Sequence, residues 1–323
     1  MNLIKKLPLA ITGLILAILS LGKIFTDYSN IFLIIGSILV LLVLIKLFFE
    51  NELFSKELDN LIPLSTFGTF SMALMLLSTY IKPIYPTITP QIALGIWIIG
   101  ILLHIFIIVQ FTRKYVLRNF DIYNVYASWW IVYIGITMAA ITAPAFNLAQ
   151  YGFIFFGFGF IMMIPTLILV SYRYIKYNEI DDKNKPFICI YAAILSIILV
   201  GYVNSSPING TFLSAIYIIA FIFYIFALFN AIKFLAIERI KFMPSFSAFT
   251  FPFVISAIAT GAVYEFFKID ILNYLFNIQG IIALILVIFV GYNYLKFILN
   301  QEKQGNKKKK KKKENEKIKE KLI

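Results

Sequence analysis

The chain has 323 residues, 61% of them apolar, with a mean hydropathy of +0.88 and only 14% charged residues, which excludes a soluble domain and describes an integral membrane protein. A single cysteine, Cys189, and a single histidine, His104, give no basis for an intramolecular disulfide or a zinc cluster. The formal charge of +13 sits mostly in short loops and a lysine-rich end, a pattern of membrane topology rather than of nucleic-acid binding.

In chain order, apolar windows long enough to cross about 30 Å of hydrocarbon fall near 6–25, 30–49, 61–81, 89–111, 122–143, 148–172, 186–204, 210–237, 244–264 and 270–297. Runs this continuous satisfy their backbone as helices rather than barrel strands, so the expected fold is all-α with ten transmembrane helices. The first window has the basic start and apolar stretch of a secretory signal, but Lys23 follows it with no A-x-A site, and an uncleaved span is expected. Residues 1–300 form the expected membrane domain, and 301–323 a lysine-rich, disordered cytoplasmic tail. All Lys and Arg except Lys23, Lys82 and Lys268 lie before span one, in or beside the loops after even spans, or beyond span ten. That bias predicts a cell-membrane protein with both termini cytoplasmic.

Pro8, Pro63, Pro186 and Pro244 stand at the starts of odd spans. Their spacing is about sixty residues, with the middle interval about twice that, which suggests five helical hairpins, an odd helix going out and an even helix returning. Odd spans are rich in small and hydroxyl residues, among them Thr12, Gly13, Ser65, Thr66, Gly68, Gly135, Ser196 and Ser247, whereas even spans run in Ile, Leu and Phe. Such residues either line a polar path or serve helix packing.

Ionisable residues are missing from the interior of the odd spans, which disfavours a proton-coupled carrier. No carboxylate pair, histidine cluster or activated nucleophile stands at catalytic spacing, so neither an enzyme nor a cofactor is expected. His104 inside the fourth span reads as a helix-packing hydrogen bonder. The Gly-x-Gly of "FGFGF" at 156–160 lies within an apolar span, where a dinucleotide loop has no place.

Several segments in shared order resemble the tellurite-resistance/dicarboxylate transporter family, which includes bacterial tellurite-resistance proteins, yeast malate permeases and the plant guard-cell slow anion channel. They are "FGTFSMALMLLSTYI", "ASWWIVYIGITMAAIT", "YGFIFFGFGFIMMIP", "KPFICIYAAILSIILVGYV" and "FMPSFSAFTFPFVISAIAT". The resemblance implies ten helices in a quasi-fivefold ring, a central pore lined by the odd helices, and a homotrimer with one pore per subunit. It implies passage of small anions: chloride, nitrate, C4-dicarboxylates such as malate, or oxyanions such as tellurite. The family's pore plug, the Phe directly before a Pro or Gly of the ninth helix, falls on Phe251. Many relatives carry prolines in the fifth and seventh helices where this chain has Val132-Tyr133-Ile134 and Ala192-Ala193-Ile194, so how far those helices bend here stays open. A ten-helix drug/metabolite carrier, a polytopic membrane enzyme and a scaffold or receptor remain competing readings.

Helical projection of "FSAFTFPFV" places Phe246, Phe249 and Phe253 on one stripe and Phe251 on another face with Ser247, Ala248 and Ile255. Pro252 has no N–H for the Ala248 carbonyl, so a kink is expected beside Phe251. Helix N-termini at the basic mouth and the hydroxyls of Thr12, Ser65, Thr66, Ser196 and Ser247 are expected to ease an anion through.

Overall fold

The computed structural model describes the backbone of residues 2–321 apart from 86 and 178, and side chains from 4 to 300 apart from the same two. Its α-helices are α1 (Asn2–Lys5), α2 (Ile11–Ile24), α3 (Ser29–Phe49), α4 (Asn51–Leu58), α5 (Leu61–Ile81), α6 (Thr89–Phe111) and α7 (Trp129–Ile134). They continue as α8 (Thr137–Thr142), α9 (Ala149–Lys176), α10 (Tyr191–Ser205), α11 (Gly210–Ile232), α12 (Phe251–Phe267) and α13 (Asp270–Lys321). Among the described residues there is no strand.

Eight helical stretches are long and apolar enough to cross a membrane, two fewer than the ten windows expected. The shortfall has a backbone cause in each case. α2 has 14 residues, about 21 Å, because its entry from Pro8 to Ala10 is made of i→i−3 bonds such as Ile11 N–H to Pro8 C=O. The fifth window is divided into α7 and α8 by a break at Gly135 and Ile136, where Met138 N–H bonds Gly135 C=O and Ala139 N–H bonds Ile136 C=O. This break forms without the proline that relatives carry. The Val132 carbonyl, which a continuous helix would have given to residue 136, instead accepts from His104 Nε2 at 3.0 Å. His104 Nδ1 lies 2.6 Å from Ser71 Oγ, so one buried imidazole ties α6, α5 and the broken segment together. The seventh window has no such break: a 3₁₀ run over Asp182–Ile190 leads into a regular α10.

Two burial patterns separate the helices. The hydrophobic windows of Leu61–Ile81, Asp182–Ser205 and Pro244–Phe267 are 83–89% buried, and those of the other five long stretches only 22–33%. In each of the latter one stripe is buried and the remaining Ile, Leu and Phe are exposed, as membrane hydrocarbon permits. The stripe of α3 is Gly36, Val40, Val43 and Lys46, and that of α9 is Gly152, Phe156, Gly159, Met163, Thr166, Val170 and Arg173. Steps of three and four average 3.5 residues, the repeat of left-handed helix packing.

Each exposed helix lies against the sequence neighbour that precedes it: α3 on α2, α6 on α5, α9 on α8, α11 on α10, and α13 on α12. The buried segments touch one another in sequence, α2 on α5, α5 on α7 and α8, α8 on α10, α10 on α12, and α12 on α2 again.

Hydroxyls join most of these buried neighbours. Thr69 Oγ1 donates to Thr12 Oγ1 at 2.8 Å, Ser65 Oγ to Ser128 Oγ at 2.9 Å, and Ser196 Oγ lies 3.1 Å from Ser256 Oγ. Thr250 Oγ1 is 3.3 Å from the Gly13 carbonyl. Each such contact is worth about 0.6 kcal/mol on average in a membrane protein. The remaining pair, α8 and α10, meets through Thr137, wedged between two glycines. A Cβ on Gly159 would lie 2.1 Å from Thr137 Oγ1, and one on Gly201 would lie 2.3 Å from Thr137 Cγ2. Gly159→Val is therefore expected to lower stability by about 1–3 kcal/mol, measured by thermal unfolding in detergent. Gly157, two residues away with open space at its Cβ, is the matched control and should tolerate the same change.

Candidate functional site

The buried segments enclose a cavity of about 50 Å³, room for roughly three or four waters. Gly13 borders it from α2, Thr66, Thr69 and Met72 from α5, and Trp130, Ile131, Ile134 and Gly135 from the broken segment. Phe187, Ala193, Ile194 and Ile197 complete the third side, and Ser247, Ala248, Phe251 and Pro252 the fourth. Among the described residues no Asp, Glu, Lys, Arg or His borders this cavity.

A second cavity, about 560 Å³, lies at the end where Pro8, Pro63 and Pro244 stand, and it shares Ala10 and Thr66 with the first. Its wall carries Lys5, Lys6, Lys183 and one carboxylate, Glu57. The larger cavity thus has a basic mouth, and the smaller one beside it is uncharged. Glu57 does not face the mouth as a bare charge. Lys46, fully buried at the end of the α3 stripe, holds its two carboxylate oxygens at 2.7 and 2.8 Å and donates to the Leu7 carbonyl at 2.6 Å.

The backbone at Phe251 explains its position. A 3₁₀ segment, Pro244–Phe249, ends at Thr250, whose φ of −108° and ψ of −88° are not helical, and α12 starts afresh at Phe251. Pro252 sits in the first turn of α12, where a missing N–H breaks no helical bond. The break thus comes one residue before Phe251, and the proline starts a helix rather than kinking one.

The four rings of this stretch have separate surroundings. Phe246 and Phe249 stack edge to face at 5.1 Å, and Phe253 packs on Tyr224 at 5.8 Å, all three buried away from the cavity. Only Phe251 borders it.

Of the residues expected on the pore, Gly13, Thr66, Gly135, Ser247, Ala248, Phe251 and Pro252 border the cavity. Thr12, Ser65, Gly68, Ser196 and Ile255 are buried between helices instead. Hydroxyls of both sets are engaged: Thr12 donates to Leu9 C=O at 2.8 Å, Thr66 to Ile62 C=O at 2.8 Å, and Ser196 to Ala192 C=O at 2.7 Å. Sequence reasoning passed over Trp130, Met72 and Phe187 because it searched for small polar residues. Thr69 was reachable, one helical turn beyond Thr66.

A family model described as SLAC1, voltage-dependent anion channel, matches residues 7–295. The chain belongs to that family. This is the tellurite-resistance/dicarboxylate transporter family that its motifs resemble, and the match runs from α2 through α12 into the first half of α13. No curated protein matches the chain. Membership supports a multi-pass membrane protein of the anion channel and transporter class.

Proposed function

We propose that the chain is a passive anion channel of the cell membrane whose ten helical segments form five hairpins in a quasi-fivefold ring, closed on its axis by Phe251. The observation that carries this reading is the closed series of contacts α2–α5–α7/α8–α10–α12–α2 around an uncharged cavity that Phe251 borders. The excess of Lys and Arg in the loops supports a cytoplasmic side for the basic mouth and both termini. Lys5, Lys6 and Lys183 raise the local concentration of cytosolic anions there, an effect that weakens with ionic strength. Without a fixed charge at the centre, a passing ion is held weakly and leaves readily, as conduction requires. Chloride, nitrate, malate and tellurite are the substrates to compare, and the exposed apolar faces suit lipid and a homotrimer.

Purified protein in liposomes tests the reading. With an imposed potassium diffusion potential, chloride or nitrate efflux should follow the electrical gradient without a proton or sodium gradient. Efflux that requires either gradient, or a folded protein that passes none of the four anions even with Phe251 removed, would end it.

A further inference from the structure

We propose that the lysine-rich extension of α13 is a docking segment for the anionic lipid surface on its own side of the membrane. The inference goes beyond the channel reading and needs only that the extension leave the bilayer. The membrane span of α13 ends at Asn300, and the helix continues to Lys321. Residues 301–323 hold eleven lysines, seven of them consecutive from Lys307 to Lys313, against four glutamates. Lys307 follows the end of the span by about 10 Å along a helix, close to one Debye length at physiological salt, so the run begins within the field of the headgroups. Gly305 and Asn306, both weak helix formers, stand between the span and the run, so turning the run onto the surface costs little helical stability. Each lysine brought to an anionic surface favours the docked state by about fivefold.

The rest of the protein does not compete for these charges. The root of the extension is fixed beside the larger cavity: Phe297 borders it, Phe242 packs on Tyr294 at 5.0 Å and on Phe297 at 5.6 Å, and Tyr294 donates to the Pro244 carbonyl. That cavity carries Lys5, Lys6 and Lys183, so it repels a lysine run rather than receiving it as a plug. The carboxylates at this end are largely committed. Among the described residues, Glu50, Glu57, Asp59, Asp181, Asp182 and Glu238 each already meet a lysine at 2.7–3.5 Å. An anionic leaflet offers many phosphates beside the first turns of the extension, and a surface of that kind needs no shaped pocket, which suits a run of a single residue type.

The test uses the full chain with Cys189→Ser and Asn315→Cys, labelled at the new thiol with a fluorescent donor and placed in lipid nanodiscs whose headgroups carry an acceptor. Discs of phosphatidylcholine alone are compared with discs that also contain phosphatidylglycerol. Energy transfer should rise with the phosphatidylglycerol fraction and fall again as salt is raised. Changing Lys307 to Lys313 each to Gln should remove the dependence on phosphatidylglycerol, and changing only Lys307, Lys308 and Lys309 should leave an intermediate response. Equal transfer in neutral and anionic discs, or unchanged transfer in the seven-glutamine variant, overturns the proposal. Release of the extension from anionic discs by equimolar single-stranded RNA would make nucleic acid its partner and overturn it as well. Nanodiscs present the same lipids on both faces and need no anion flux, so a docked extension in a protein that passes no anion would uphold this inference while removing the channel reading.

Discussion

Phe251→Ala is expected to raise chloride or nitrate conductance over wild type on the order of tenfold or more in planar-bilayer recordings. The ring borders the smaller, uncharged cavity, so on the proposed channel reading its removal widens the passage, and no charged residue among those bordering it holds the ion back. The neighbouring rings give the control. Phe249 is 0% exposed and packs on Phe246, so Phe249→Ala should cost about 3–5 kcal/mol of stability and leave conductance unchanged. Pro252→Ala should also leave the wild-type current small, since the break at Thr250 precedes the proline. Equal conductance in wild type and Phe251→Ala would mean that the ring packs rather than plugs.

The second large effect lies at the mouth. Glu57→Gln would leave the Lys46 ammonium, fully buried, with only the Leu7 carbonyl and a neutral amide, and breaking a buried pair in this way costs about 3–5 kcal/mol. Lys46→Met should cost somewhat less, because Glu57 is 28% exposed and water can reach it. The double variant Lys46→Met/Glu57→Gln should regain much of the loss, since neither member is then left charged alone. Thermal unfolding of the four proteins in detergent closes the cycle, and additive losses would show that the pair does not couple α3 to α4. The two single variants should also part company in function. Lys46→Met bares a carboxylate on the basic mouth and should lower the current at low salt, whereas Glu57→Gln removes that carboxylate and should not.

Much of the fold was legible because membrane helices announce themselves by length and hydropathy. Eight of the ten windows coincide with the long apolar stretches, while the first and fifth overlap only shorter apolar helices, Ile11–Ile24 and Thr137–Phe146. Which helices are buried was legible too, since Thr, Ser and Gly accumulate in α2, α5, α10 and α12 while α3 and α11 run in Ile and Leu. The breaks were less visible. The one at Gly135 has no proline to mark it and depends on His104, a residue from a different helix. Lys46 counted as one more basic residue near a span end. Only the three- and four-residue steps from Gly36 through Val40 and Val43 reveal that it lies on the buried stripe.

At the site, composition pointed to the right helices and overstated the hydroxyls. Ser65 and Ser196 carry the polar atoms that a pore was expected to use, yet these reach across to Ser128 and Ser256 and hold the helices together. Which face of a fully buried helix meets the axis depends on where its neighbours stand, and periodicity carries no signal when every face is apolar. Phe251 was separable from Phe246, Phe249 and Phe253 because helical projection sets it on another face: Phe246 packs on Phe249 and Phe253 on Tyr224, whereas Phe251 borders the cavity.

The claim that anions pass between the buried segments is most directly tested by thiol accessibility in liposomes. Cys189, the single native cysteine, is buried and can be replaced by serine to give a silent background. With Phe251→Ala present, Ala193→Cys places a thiol beside the central cavity, and Ile222→Cys places one on the exposed apolar face of α11. A membrane-impermeant anionic thiol reagent should modify Ala193→Cys and abolish chloride flux, while Ile222→Cys stays unmodified and conducting. Ala193→Cys that resists the reagent in a folded, conducting protein would place the anion path elsewhere.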